Sequence, residues 1–343
     1  MARNGFDVTL ADRRKPWDVT TWADGQKPTS TFYETSTGML DAAGLAGLNV
    51  TKRPMMTLDH DNQPLAIPGR YANVDSQGKV RGVNLTDRYV NIQMEDAFAF
   101  GDAIVDSGEA KWERAGEARN GALVFGCMEL THLGVNVPGD NGGDLVPYLL
   151  ILNSFGGEAP LGGLIAFIRP VCTNTFEAAR GTKTSYRFSI RHTGTLDGKM
   201  AMAREALGIT FQHVAEVQEL TTRLATTKLV EAQVQAILAA TFRDADAKDD
   251  TRVMALMSGA ERVGQDPLAV KVWDHYQASP TLEGIRGTGW GVFNAVTEYL
   301  DHVQDYRPRG AQGDPLALRA ENLMVGKAQG KKDVALSAIL AIR

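Results

Sequence analysis

Hydrophobic and polar positions alternate with period two through much of the first half of the chain. They shift to helical spacing in the second half. Between Asn49 and Asp87, the runs "VTKRPMMTL", "GRYANVD" and "KVRGVNL" predict short strands, with the Gly-containing "SQG" marking a hairpin. "MEDAFAFGDAIVDSG" puts Phe98, Ala99, Ile104 and Val105 on one helical face, and Gly108 ends it. "KWERAGEARNGALVFGCMEL" reads strand, turn, strand, with Asn120-Gly121 as the hairpin signal. "VPYLLILNS" and "LGGLIAFIRP" are apolar almost throughout, which predicts strands buried on both faces. "TNTFEAARG" predicts a short helix capped by Thr173 or Asn174. From Thr184 to Gly194, "TSYRFSIRHTG" sets Tyr186, Phe188 and Ile190 on one side of a strand. Ser185, Arg187, Ser189 and Arg191 occupy the other.

After Thr195 the pattern changes. From Leu196 to about Thr241 the residues are helix formers without a proline, which predicts a long helix at the start of a helical half. Further helical segments are expected at 251–259, 291–303, 317–325 and 332–342. Residues 1–47 are polar, with Trp17 and Trp22 but little periodicity, and predict an extended arm. Strands grouped before helices mean an α+β fold, with an antiparallel sheet from about Asn49 to Arg191. The expected divisions are an arm over 1–47, a β-rich α+β domain over 48–195 and a helical region over 196–343.

Composition bounds the function. The 343 residues carry a formal net charge of −5 and are 43% apolar, enough for a sizeable core in a protein not coated in positive charge. Two cysteines, Cys127 and Cys172, lie far apart in apolar contexts and predict buried thiols in a reducing compartment. No run reaches membrane-spanning length and the first residues lack a signal-peptide core, so a cytoplasmic protein is expected.

Against that acidic balance, Ala178–Leu196 contains Arg180, Lys183, Arg187 and Arg191 and no Asp or Glu. Arg169 stands just before it. Arginine forks and serine hydroxyls suit a phosphate backbone, and neighbouring aromatics suit base stacking. A solvated or ion-paired sheet face and a small anionic ligand are the other readings. Cys172, Asn174 and His192 make a candidate polar cluster with Arg169 and Arg191, as an enzyme on a nucleotide or other anionic substrate would need. His60 between Asp59 and Asp61 reads as a loop. Glu298 and His302, four residues apart, read as a local ion pair. No phosphate-loop, dinucleotide or nucleophile-elbow motif is present, and neither a cofactor nor a metal is expected.

Several stretches resemble a known family. "FYETSTGMLDAAGLAGLNVTKRP", "GRYANVD", "VNLTDRYVNIQMEDAFAFGDAIVD", "PYLLILNSFGG", "IRPVCTNTFEAA", "SIRHTG" and "GTGWGVFNAVTEYLDH" follow in the order seen in phage/plasmid-like proteins of domain-of-unknown-function family 932. The likeness runs from about Phe32 to the C-terminus. "STGML" stands where members usually carry a Trp-His-Gly segment, so any role of that histidine is absent or moved. The resemblance implies a mobile-element origin, and such genomes commonly encode single-strand annealing proteins. Those pack a sheet on a long helix, form rings or filaments, and hold DNA in a basic groove. The expected function is therefore single-stranded DNA binding and annealing by a cytoplasmic homo-oligomer, without cofactor or membrane. An enzyme on an anionic substrate, or a structural or host-interaction protein of a mobile element, are the alternatives.

Overall fold

The computed structural model describes residues 32–157, 161–171, 174–176, 187–189, 196–242, 266–304, 318–319, 322 and 327–342. The fold is α+β, with antiparallel sheets in the first half and helices in the second. β1 (Thr51–Leu58), β2 (Pro64–Val74) and β3 (Val80–Leu85) form a three-stranded sheet in that order. The larger sheet runs β4 (Ala110–Ala118), β5 (Leu123–Leu130), β6 (Val146–Ser154), β7 (Gly162–Arg169) and β8 (Asn174–Phe176), with β9 (Arg187–Ser189) also paired to β7.

The hairpin between β4 and β5 turns where expected. Asn120 (φ 54°) and Gly121 (φ 86°) take the left-handed conformations that an Asn-Gly pair adopts at low cost. β6 is buried from Pro147 to Ser154 and β7 from Gly163 to Arg169, as their unbroken apolar runs require. Met128, Leu149, Ile151, Ile165 and Phe167 belong to the main core with Phe98, Phe100 and Ile104 of α2 (Met94–Asp106). Phe125, Cys127, Leu150, Leu164, Ala166 and Ile168 form a second apolar cluster.

Two expectations need correction. The stretch read as an extended arm contains a helix, α1 (Ser36–Ala42). Its N-cap Thr35 accepts the Gly38 N–H, and Met39 and Leu40 enter the core. At seven residues it shows too little periodicity to read, and it is held tertiarily. Asp102 accepts the Ser36 N–H and hydroxyl and the Trp112 indole N–H. The segment read as a helix from Thr173 is, at Asn174–Phe176, strand β8. It is registered against Phe167–Arg169, whose edge satisfies its backbone.

The long helix is present as α3 (Leu196–Thr226), 31 residues and therefore about 46 Å long. Ala206, Thr210, His213, Val217, Thr221 and Leu224 form its buried stripe, and it packs on α2 and on the later helix Gly289–Glu298 of its own chain. The helical half continues with α4 (Glu231–Phe242), α5 (Pro267–Ala278), α6 (Gly289–Glu298), a π turn (Tyr299–Val303) and α7 (Lys327–Leu340). Every residue of α6 is buried, with α3, α5 and α7 packed around it. Gly289 makes that approach possible, since a Cβ there would stand 2.6 Å from Ile339 Cγ2 of α7 and 3.0 Å from the Leu224 carbonyl oxygen of α3. Gly291 lets the loop before α6 lie against the helix, as a Cβ at that position would stand 2.2 Å from the Ile285 carbonyl oxygen.

Candidate nucleic-acid interface and its internal brace

β7 positions the site. Its free edge takes two short strands end to end. Arg169 is registered with Asn174 at one end, and Leu164 with Arg187 and Gly162 with Ser189 at the other. From Leu164 to Arg169 the strand spans about 17 Å. The Arg169–Asn174 end and the basic strand thus share an edge without converging on one small pocket. Among the described strands β9 pairs with β7 alone, so the strand from the acid-free block is an edge strand.

Arg169 does not join that basic surface. It is 2% exposed. Its Nε donates to Asp140 Oδ2 at 2.7 Å and its Nη2 to Asp140 Oδ1 at 2.6 Å, a bidentate fork, and Nη2 also donates to the Thr281 carbonyl at 3.0 Å. Trp290 Nε1 donates to Asp140 Oδ2 at 2.7 Å, and the Gly142 N–H to Oδ1 at 2.8 Å. Burial works to raise the Asp140 pKa. The Arg169, Trp290 and Gly142 donors outweigh it and hold the carboxyl below its usual range. A guanidinium committed in this way is an anchor, which corrects its expected place among the phosphate contacts.

The brace continues at the other end of α6. Thr281 Oγ1 donates to Glu298 Oε2 at 2.5 Å, Ser279 Oγ donates to Oε1 at 2.9 Å, and His275 Nε2 lies 3.3 Å from Oε1. These partners place Glu298 against α5 and the turn after it. One turn on, Asp301 is paired with Lys332 Nζ of α7 at 2.8 Å, with side-chain exposures of 0% and 2%. Asp140, Arg169, Thr281, Glu298 and His275 form one connected polar path from the end of the sheet into the helices. It fixes geometry rather than exposing a reactive group.

Of the other predicted positions, Arg180, Lys183, Arg191, Cys172 and His192 lie outside the described residues. Arg187 and Asn174 are placed by their backbone register. His60 is exposed and pairs with Asp61 at 3.1 Å, consistent with a loop. Among the described residues no group of His, Cys, Asp and Glu is arranged to hold a metal ion. No helix among them is long and apolar enough to cross a membrane. Sequence reasoning missed Asp140 as the hub of the brace. It sits in the Gly-rich "VPGDNGGD", where nothing distinguishes a buried anchor from a turn aspartate.

The braced stretch coincides with a family match. Residues 84–323 of the 343 match the domain of unknown function DUF932. The chain belongs to this family. The DUF932 region thus begins in β3, contains the whole larger sheet, and extends past α6 and the π turn. No curated protein and no solved structure matches the chain.

Proposed function

We propose that this DUF932 protein binds single-stranded DNA along the edge formed by β9 and anneals complementary strands, in the recombination or replication of a phage or plasmid. The observation that carries the reading is the acid-free block from Ala178 to Leu196. It lies within a chain of net charge −5, and its described strand sits at a sheet edge. Lys183, Arg187 and Arg191, with Arg180, supply the cations, and Ser185 and Ser189 supply hydroxyls that donate to phosphate oxygens. Annealing is downhill once the strands are held extended, so the chemistry needs no cofactor. A homo-oligomer extends the charged edge over more nucleotides than one chain reaches.

The test is fluorescence-anisotropy binding of single- and double-stranded oligonucleotides across a salt series. Each phosphate contact contributes a slope of about −0.7 in log K against log salt for a single strand. Arg187→Ala with Arg191→Ala is expected to flatten the slope by about 1.4 and to weaken all sequences alike. If the double variant loses thermal stability while affinity and slope stay at wild-type values, the arginines pair with acids of this chain and the reading is wrong.

A further inference from the structure

β1 and β2 extend beyond the three-stranded sheet as a ribbon. β3 reaches only Tyr71–Val74 of β2, so the ribbon from Met56 to Arg70 has no third strand among the described residues. Met56, Leu58 and Leu65 there are 53%, 62% and 54% exposed. Two strands alone are marginal in water, and an open apolar edge invites a further strand.

The charges on the ribbon are sorted along its length. Asp59 and Asp61 stand at the tip, and Arg53 and Arg70 at the root. Both arginines are exposed, and among the described residues no carboxylate lies within ion-pair distance of either. Lys52 differs. Its Nζ donates to the Asp87 and Tyr89 carbonyls at 2.6 and 2.8 Å and is used within the chain.

We propose that two copies of this chain pair ribbon to ribbon, β1 edge against β1 edge, antiparallel about a two-fold axis. An antiparallel pair lays the acidic tip of each copy on the basic root of the other. A register centred on Met56 sets Arg53 of one copy against Asp59 of the other, twice, and Leu58 against Pro54. The interface is isologous and self-complementary, as closed dimers require. Pro54 lacks an edge donor, so the charge pairs set the register more than the ladder does. Met56 and Leu58 leave water on pairing. Nothing in this contact requires nucleic acid, so it stands apart from the β9 reading.

Sedimentation at micromolar concentration and low salt tests it. The wild type is expected as a dimer. Arg53→Asp and Asp59→Lys each bring like charges together twice and raise the dimer dissociation constant by a factor on the order of 100. An equimolar mixture of the two variants is expected to restore a dimer containing one of each, because both contacts are then opposite in charge. Asp59 Oδ1 also accepts the turn N–H groups of Asp61 and Gln63. Asp59→Asn keeps that acceptor, removes the charge, and is expected to weaken the dimer by a smaller factor. A monomeric wild type, an undiminished Arg53→Asp dimer, or a mixture that stays monomeric overturns the proposal. If the wild type is a monomer and Arg53→Asp loses oligonucleotide affinity, the ribbon belongs to nucleic acid and the pairing is wrong.

Discussion

Replacing Asp140 with alanine removes four hydrogen bonds at once: two from Arg169, one from the Trp290 indole and one from the Gly142 N–H. The severe effect comes from what remains. The Arg169 side chain is 3% exposed, and it loses the Asp140 carboxylate that meets its guanidinium from two sides. Breaking a buried pair from one side costs about 3–5 kcal/mol, a large share of the 5–15 kcal/mol that holds a typical domain folded. The expected loss is read by guanidinium denaturation followed by circular dichroism and tryptophan fluorescence, with a fall in Tm of about 10 °C. Arg169→Met in the same background is expected to recover part of the loss, because the guanidinium that lost its Asp140 carboxylate is then no longer buried. The acid limb follows the same logic. The folded-state pKa of Asp140 is depressed, so its contribution is present above the ordinary carboxylate range and is lost as pH falls through the folded value. A loss under about 1 kcal/mol in Asp140→Ala, or a double variant worse than the sum of the singles, would refute the brace.

Two more outcomes test the packing, beside the oligonucleotide and ribbon experiments above. A Cβ at Gly82 would stand 2.1 Å from the Phe155 carbonyl oxygen, so Gly82→Ala is expected to cost at least about 1–3 kcal/mol by forcing the two sheets apart. Gly330 on α7 has open space around it, and Gly330→Ala is expected to gain roughly 0.5–1 kcal/mol, both read as denaturation midpoints. His213 is buried on α3, and desolvation lowers its pKa from 6.5 despite nearby Glu216. The folded chain therefore favours the neutral ring. Stability is expected to drop as pH falls below 6.5, where the unfolded chain takes up the proton first, and His213→Gln is expected to flatten that limb of the Tm profile.

The sequence by itself determined the order and kind of the larger elements. Periodicity is a local property, and burial leaves its mark on every second or every third to fourth residue. Thus β4 through β7, α2 and α3 were legible, as was the Asn120-Gly121 turn, whose backbone demands those residues. It also determined the acid-free block, because charge is counted without knowing the fold. Tertiary structure alone decided the rest. α1 is a short helix of about two turns held by Asp102 and the core, and β8 is a strand because the end of β7 offers an unpaired edge. Whether an arginine faces water or a carboxylate depends on a partner distant in sequence. Asp140, Arg169, Thr281 and Trp290 span 150 positions, and no window along the chain contains them together. Arg169, which precedes the acid-free block in sequence, is thereby an internal anchor, since a buried guanidinium is tolerated only where a carboxylate and a carbonyl meet it.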